Sequence, residues 1–323
     1  MDRRSLCVAA VQMISENGQR DANLERAARL VQQAAHAGGK LIVLPELFSG
    51  GYWLNELAWE TAERQDGPTE AWLRETARRY AVYLGGSYLQ AYGEDFFNVF
   101  ALAGPDGKIA GRVPKQQPAS VEAYLFRGQT SSHMIGTELG RIGVGVCYDN
   151  LFRYTAEALI QGGADLAVMC FSAPTPQRTW YYRESQVQSF RALLRHSAQN
   201  YARMLGIPAV QVNKAGPWKS RLPSFFPPQD SKYDGHSEIA DSNGRIIAEL
   251  ADEETLIVGE VTLDPTLKSR ALGEEYKKHG RWIARVPLEF KFYPYIERMG
   301  ARSYRTSAQR RAKARAASCC SPP

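Results

Sequence analysis

Cys147 is the residue of this chain best placed for nucleophilic chemistry. It closes the run Arg141-Ile142-Gly143-Val144-Gly145-Val146-Cys147-Tyr148-Asp149-Asn150. Valines alternate with glycines before it, which predicts a short buried strand with little side-chain bulk. Polar residues follow at once, and residues 154–161 predict a helix. A side chain at such a strand end sits on rigid backbone, and the N–H groups that follow it are free to donate. A lone cysteine there is also commonly an inert core residue. The stretch leaves both readings open.

A cysteine thiol is a weak nucleophile at its free pKa of about 8.5 and needs a base or a positive field. The histidines are His36, His133, His196, His236 and His279. His36 and His196 fall on amphipathic helices. His236, in a loop before a strand, is the one suited to partner a cysteine, and no neighbouring motif supports it. Glu46 and Lys115 suit the task better. Glu46 follows Pro45 at the end of an apolar strand, where desolvation raises a carboxyl toward the range of a useful base. A solvent-facing carboxylate fits that position equally well. Lys115 ends Gly111-Arg112-Val113-Pro114-Lys115, just past a strand. From there an ammonium can reach into a cleft and stabilise an oxyanion; the alternative is a solvated surface lysine.

The elements that must hold these residues alternate between strands and helices. Strands are predicted over 5–13, 40–44, 82–89, 166–171, 209–213 and 255–263, and helices over 21–37, 68–80 and 178–205. Turn formers at 104–107 and 241–244 predict two hairpins. The stretch 216–230 is Pro-rich and reads as irregular. Helix, Gly-Gly and apolar strand recur at residues 35–44 and 160–169, which fits either ordinary α/β architecture or two similar halves packed face to face. Either way the fold class is α/β, with mixed sheets covered by helices. Residues 265–297 carry Trp282, Phe290, Tyr293 and other apolar side chains, and predict an arm packed on the body or on a second subunit.

The 323 residues are 44% hydrophobic and 23% charged, a soluble composition. No apolar run approaches the roughly 20 residues of a membrane span, and the N-terminus lacks a secretory pattern. The five cysteines (Cys7, Cys147, Cys170, Cys319 and Cys320) form neither a metal-ligand spacing nor a disulfide framework. A cytoplasmic setting fits them. The net charge of +6 is confined to the tail. From Arg298 onward there are seven basic residues and no acidic one, which leaves −1 for the body. That distribution argues against a nucleic-acid groove. The Ala/Arg-rich tail, residues 298–323, predicts disorder.

Three segments in order, Leu41-Ile42-Val43-Leu44-Pro45-Glu46, Gly111-Arg112-Val113-Pro114-Lys115 and Gly143-Val144-Gly145-Val146-Cys147-Tyr148-Asp149, resemble the signatures of the nitrilase, or carbon–nitrogen hydrolase, superfamily. Tyr233-Asp234-Gly235-His236-Ser237-Glu238-Ile239 and the hairpin after it match the family's late hairpin. The resemblance spans residues 5–264 and implies one hydrolase domain over 1–264. It implies a four-layer α-β-β-α sandwich and a Glu–Lys–Cys triad. Cys147 would form an acyl enzyme, Glu46 would move the protons, and Lys115 with the backbone N–H of Tyr148 would stabilise the oxyanion. Glu122, in Glu122-Ala123-Tyr124-Leu125-Phe126-Arg127-Gly128, matches the family's second glutamate. No metal or organic cofactor is implied. Pairing of chains into a homodimer or a larger homo-oligomer is.

The chain departs from the family in two places. A histidine usually stands two residues after the lysine, where this chain has Gln117. Tyr148-Asp149 resembles amidases and carbamoylases, whereas nitrilases more often show Trp-Glu. Paired arginines that hold a carbamoyl amino acid are replaced by Asn150, Leu151 and a single Arg153. Tyr52, Trp53, Phe171 and Ser172, with Tyr148, are the candidate pocket residues; such a pocket suits an apolar or aromatic acyl group. The leading reading is a cofactor-free hydrolase of a small carboxamide or N-carbamoyl compound that releases ammonia. A nitrilase on the same fold stands second. A non-catalytic binding protein, or an RNA-associated protein using its tail, stands further back.

Overall fold

Strands buried on both faces account for the apolar runs. The computed structural model describes residues 3–180, 182–221 and 229–319. The first sheet has seven strands. Its main order is Thr255–Leu263, Arg4–Gln12, Leu41–Val43, Tyr83–Tyr92, Asp95–Ala103, Ile109–Pro114, with Glu63–Arg64 beside Tyr83–Tyr92. The second has six, in the order Ile246–Glu249, Glu238–Ala240, Ala209–Val212, Leu166–Cys170, Gly140–Val146, Met134–Thr137.

Side chains alternate between the two faces of each strand, and here both faces are covered. Val8, Ala10, Leu41 and Val43 of the first sheet meet Val144, Val146, Val168 and Val210 of the second in one shared core. The intervening Ala9, Val11 and Ile42 pack outward on Ala27 and Val31 of helix α1 (Arg20–His36) and on Leu73 and Ala77 of α2 (Pro68–Tyr80). On the far side, Ala167 and Met169 pack on Leu159 of α3 (Arg153–Gln161). Beyond α4 (Glu184–Leu194), helix α5 (Ser197–Leu205) adds Ala198, Tyr201 and Ala202 to that layer. The result is a four-layer α-β-β-α sandwich. The glycines before Cys147 fall on the helix-facing side. A Cβ at Gly143 would lie 2.5 Å from Leu159, and one at Gly145 would lie 1.9 Å from the Asn150 side chain.

The two sheets repeat one plan. Arg4–Gln12, Leu41–Val43 and Tyr83–Tyr92 run parallel and lead into two antiparallel strands. Gly140–Val146, Leu166–Cys170 and Ala209–Val212 do the same. The recurring Gly-Gly segments mark equivalent corners of two similar halves. The predicted helix over 178–205 is divided into α4 and α5 at His196, whose φ is +63°. The stretch expected to be irregular contains a ribbon in which Ala215–Ser220 pairs with Gln229–Asp234. Residues 222–228 of that expectation lie outside the described residues.

The arm packs on its own body. Past a short helix, α6 (Glu274–Lys277), Trp282 bridges Phe152, and a 3-10 turn, Leu288–Lys291, leads into α7 (Tyr293–Thr306). The disorder predicted for the tail is not what the structure has. Helix α8 (Ala308–Cys319) lies on the first half, with Ala314 buried beside Trp59, Phe96 and Tyr304. Arg310 is buried against Asp95 at 2.7 Å, Lys313 pairs with Glu60, and Arg315 pairs with Glu94. Composition alone misses acidic partners that lie more than 200 residues away. The last four residues lie outside the described ones. Among the described residues, no helix is long and apolar enough to cross a membrane.

Candidate active site

Strand ends from both halves converge on one buried cluster. Glu46 follows Leu41–Val43, Lys115 follows Ile109–Pro114, and Cys147 follows Gly140–Val146. Lys115 Nζ lies 2.7 Å from Glu46 Oε1 and 2.8 Å from Glu122 Oε2, with all three side chains fully buried. Asn98 Nδ2 also donates to Glu46 Oε1, at 2.7 Å, while the Ser87 hydroxyl donates to Asn98 Oδ1. Glu46 Oε2 has no hydrogen-bond partner among the described residues. It is the free lone-pair site of the cluster.

The supports around these groups are rigid. The Glu46 N–H donates to the Phe171 carbonyl at 3.2 Å. Leu47, next in the chain, has φ +48°; its N–H donates to Ser87 Oγ and its carbonyl accepts from Lys214 Nζ. Glu122 accepts from the Tyr52 hydroxyl at 2.8 Å and from the Ala119 N–H at 2.6 Å. Cys147 itself has φ +51°. A left-handed non-glycine residue costs on the order of 1–3 kcal/mol and persists where its surroundings fix it. Asn150 Nδ2 donates to the Gly145 and Cys147 carbonyls, which ties that turn down.

Electrostatics define the resting state. Burial pushes the Cys147 thiol well up, the Glu46 and Glu122 carboxylates add to the rise, and Lys115 opposes it. The Ser172 backbone N–H donates to the sulfur. Burial would lower Lys115, yet Glu122 and Glu46 hold its ammonium well above the usual lysine range. Burial raises Glu122 against the pull of Lys115. Burial, with Glu122 and Glu46, keeps the Tyr52 phenol protonated as a donor. The arrangement is therefore a neutral thiol beside a carboxylate and a permanent cation. It can deprotonate the thiol on attack and hold a developing oxyanion.

A cavity of about 270 Å³ opens over Cys147. Tyr52, Tyr148, Phe171 and Ser172 line it; Trp53 does not. Tyr52 turns to Glu122, while Trp53 packs on the cluster that holds Leu47 and Trp59. The Tyr148 ring packs among Phe152, Trp282, Phe290 and Tyr293. None of the five histidines lines the cavity. His236 donates its backbone N–H to the Ala251 carbonyl.

Sequence reasoning missed several supporting groups. Asn98 is a lone amide within an apolar strand. Lys214 follows Ala209–Val212 and is entirely buried; burial pulls its ammonium down to about 7 despite Glu46. Asp149 accepts from the Gln116 and Gln117 N–H groups at 2.8 and 2.9 Å, which binds the lysine loop to the cysteine turn. Burial pushes its carboxyl up to about 7. Gln117, where the family usually has histidine, donates instead to Glu297 of α7 at 3.0 Å.

Residues 7–270 match the carbon–nitrogen hydrolase family. This chain belongs to that family. The omega-amidase NIT2 of Danio rerio is 28% identical over 254 residues, 75% of this chain and 83% of the relative. The N-carbamoylputrescine amidase of Arabidopsis thaliana is 26% identical over 272 residues, 81% of this chain and 88% of the relative. Nit3 of Saccharomyces cerevisiae, a member of branch 10 of the nitrilase superfamily, superposes with a TM-score of 0.67 at 25% identity, over 82% of this chain and 92% of that one. A carbon–nitrogen hydrolase from Helicobacter pylori G27 shares the fold over 95% of this chain and 96% of its own, with a TM-score of 0.71 at 19% identity. In this carbon–nitrogen hydrolase the matched segment ends before Phe290, Tyr293 and Glu297, so the arm's contribution to the site lies outside the family match.

Proposed function

We propose that this carbon–nitrogen hydrolase splits a carboxamide or N-carbamoyl group through an acyl enzyme on Cys147. The observation that carries the reading is the fully buried Lys115 between Glu46 and Glu122, with Glu46 Oε2 left unbonded. Of the charges acting on the Cys147 thiol, Glu46 acts most strongly. An omega-amidase and an N-carbamoylputrescine amidase among the relatives support the amide chemistry.

The thiol proton passes to Glu46 Oε2 as sulfur bonds the carbonyl carbon. Charge develops on the carbonyl oxygen, where Lys115 and the Tyr148 backbone N–H receive it. Glu122 and Tyr52 keep Lys115 charged and aimed. Collapse breaks the C–N bond, and Glu46 returns the proton to the departing ammonia. Water then attacks the thioester while Glu46 takes one of its protons, and the acid leaves as the thiol re-forms. Water is the sole co-reactant, so the balance closes without a cofactor. Chains of this family member are also proposed to pair, which sedimentation would test.

The test is ammonia release from primary amides, N-carbamoyl compounds and nitriles, with Cys147→Ala as blank and mass spectrometry for an acyl adduct on Cys147. Amide-dependent ammonia, lost in the variant, is expected. Acid formed faster from a nitrile than from the matching amide would replace this reading with a nitrilase. Undiminished turnover by Cys147→Ala would remove the mechanism.

A further inference from the structure

The walls of the cavity carry a chemical signature of their own. Its volume, about 270 Å³, lies just below the roughly 300–1,000 Å³ of small-molecule sites. Above Cys147 the walls are Phe190, Leu193 and Leu194 of α4, with Phe290 and Tyr293 of the arm. Phe290 and Tyr293 stack at 4.6 Å between ring centres, and Phe190 lies 6.4 Å from Phe290. Among the described residues that line the cavity there is no Asp, Glu, Lys or Arg.

One nearby ion pair is closed on itself. Arg191, on the same helix as Phe190, is bonded to Asp234 at 2.7 Å. The Thr175 hydroxyl, which lines the cavity, donates to that same carboxylate at 2.6 Å. The Ser231 hydroxyl, also on the cavity, donates to the Thr175 carbonyl. A substrate ammonium or carboxylate lodged against these walls would lose hydration and meet no counter-charge. An alkyl or aryl group loses nothing there and is driven in by the release of water.

We propose that the substrates are amides with an uncharged, apolar acyl group, alkyl or aryl carboxamides of small size, and that amides ending in an ionised group are rejected. The selection is made by α4 and the C-terminal arm, apart from the residues that perform the chemistry. The inference rests on the amide-hydrolase reading given above.

Three amides of one length separate the possibilities: hexanamide, 6-aminohexanamide and the monoamide of adipic acid. They differ at the far end, which is methyl, ammonium or carboxylate. For the wild-type chain at pH 7.5, kcat/KM for hexanamide is expected to exceed that of each ionised partner by at least about 100-fold. An ionised amide within tenfold of hexanamide, or ahead of it, overturns the inference while leaving amide hydrolysis standing. Ammonia from none of the three counts against the hydrolase reading instead. Calorimetric titration of the same amides onto Cys147→Ala then decides the inference without turnover: tightest binding of hexanamide supports it, and tighter binding of either ionised amide ends it.

Discussion

Replacing Lys214 with methionine should make the protein more stable at neutral pH and less active. The ammonium is wholly buried, donates to the Leu47 carbonyl at 3.1 Å and lies 5.9 Å from the centre of the Tyr233 ring. Burial pulls it from an ordinary 10.5 down to about 7. The folded state therefore binds fewer protons than the unfolded state between those values, so stability rises with pH across that window. Above about 10.5 this residue costs nothing, and below about 7 the full cost is present. With 1.36 kcal/mol per pKa unit, Lys214 should add about 3.5 kcal/mol to the stability gained between pH 7 and pH 10. Methionine removes that slope. At pH 7 it gains roughly 4 kcal/mol by removing the charge, and loses about 1–3 kcal/mol by stranding the Leu47 carbonyl. Urea unfolding of both proteins at pH 7, 8, 9 and 10, with matched m-values, reads the difference. A wild-type-minus-variant difference that stays constant within about 1 kcal/mol over that range would refute the reasoning. The activity should fall because Leu47 adjoins Glu46 and holds a left-handed backbone against both of its anchors.

Lys115→Met should lower kcat by about 10²–10³-fold through loss of the oxyanion cation. It should also destabilise the fold by roughly 3–5 kcal/mol, because Glu46 and Glu122 are left buried without compensation; steady-state ammonia release and urea unfolding measure the two effects. Ala314→Glu should lower stability by at least about 2 kcal/mol, since it places an unpaired carboxylate among Trp59, Phe96 and Tyr304. An unchanged melting temperature would mean that α8 does not pack in solution.

The central strands were legible because both of their faces are buried, which turns them into continuous apolar runs. Glu46 and Cys147 stood out for the same reason, as reactive side chains where an apolar run stops, and Lys115 as a lysine just past a strand. Glu122 was not visible that way and came from the resemblance. Lys214 follows a strand just as Lys115 does, yet nothing local shows that its partner is a carbonyl 167 residues earlier in the chain. Asn98 is hidden inside a strand, and its role exists because Ser87 on the adjacent strand and Glu46, past the end of Leu41–Val43, both reach it. Tyr52 and Trp53 differ by one position in irregular backbone, where no periodicity in the sequence tells which faces the cavity. The tail misled because three of its basic residues are matched by Glu60, Glu94 and Asp95, distant in sequence, and because alanine packs well where a helix approaches closely.

The grouping of two carboxylates on one lysine has a consequence for how the proposed reaction is timed. A cysteine activated by a cation alone would rest as a thiolate. Here the Lys115 field is met by Glu46 and Glu122, and burial holds Cys147 as a thiol. When a carbonyl is attacked, the proton moves to Glu46 and the negative charge moves to the carbonyl oxygen. Lys115 then loses one anionic partner and gains another, so the charge around the ammonium is conserved through the step. The number of anions facing the ammonium is unchanged by the step, which is the condition under which preorganised charge lowers a barrier. The same conservation makes the site inert without substrate, because proton transfer from Cys147 to Glu46 with no oxyanion forming would leave Lys115 with one partner fewer and a thiolate in apolar surroundings. On this account Glu122 has a part that Glu46 cannot fill: it is the carboxylate that stays when Glu46 is protonated.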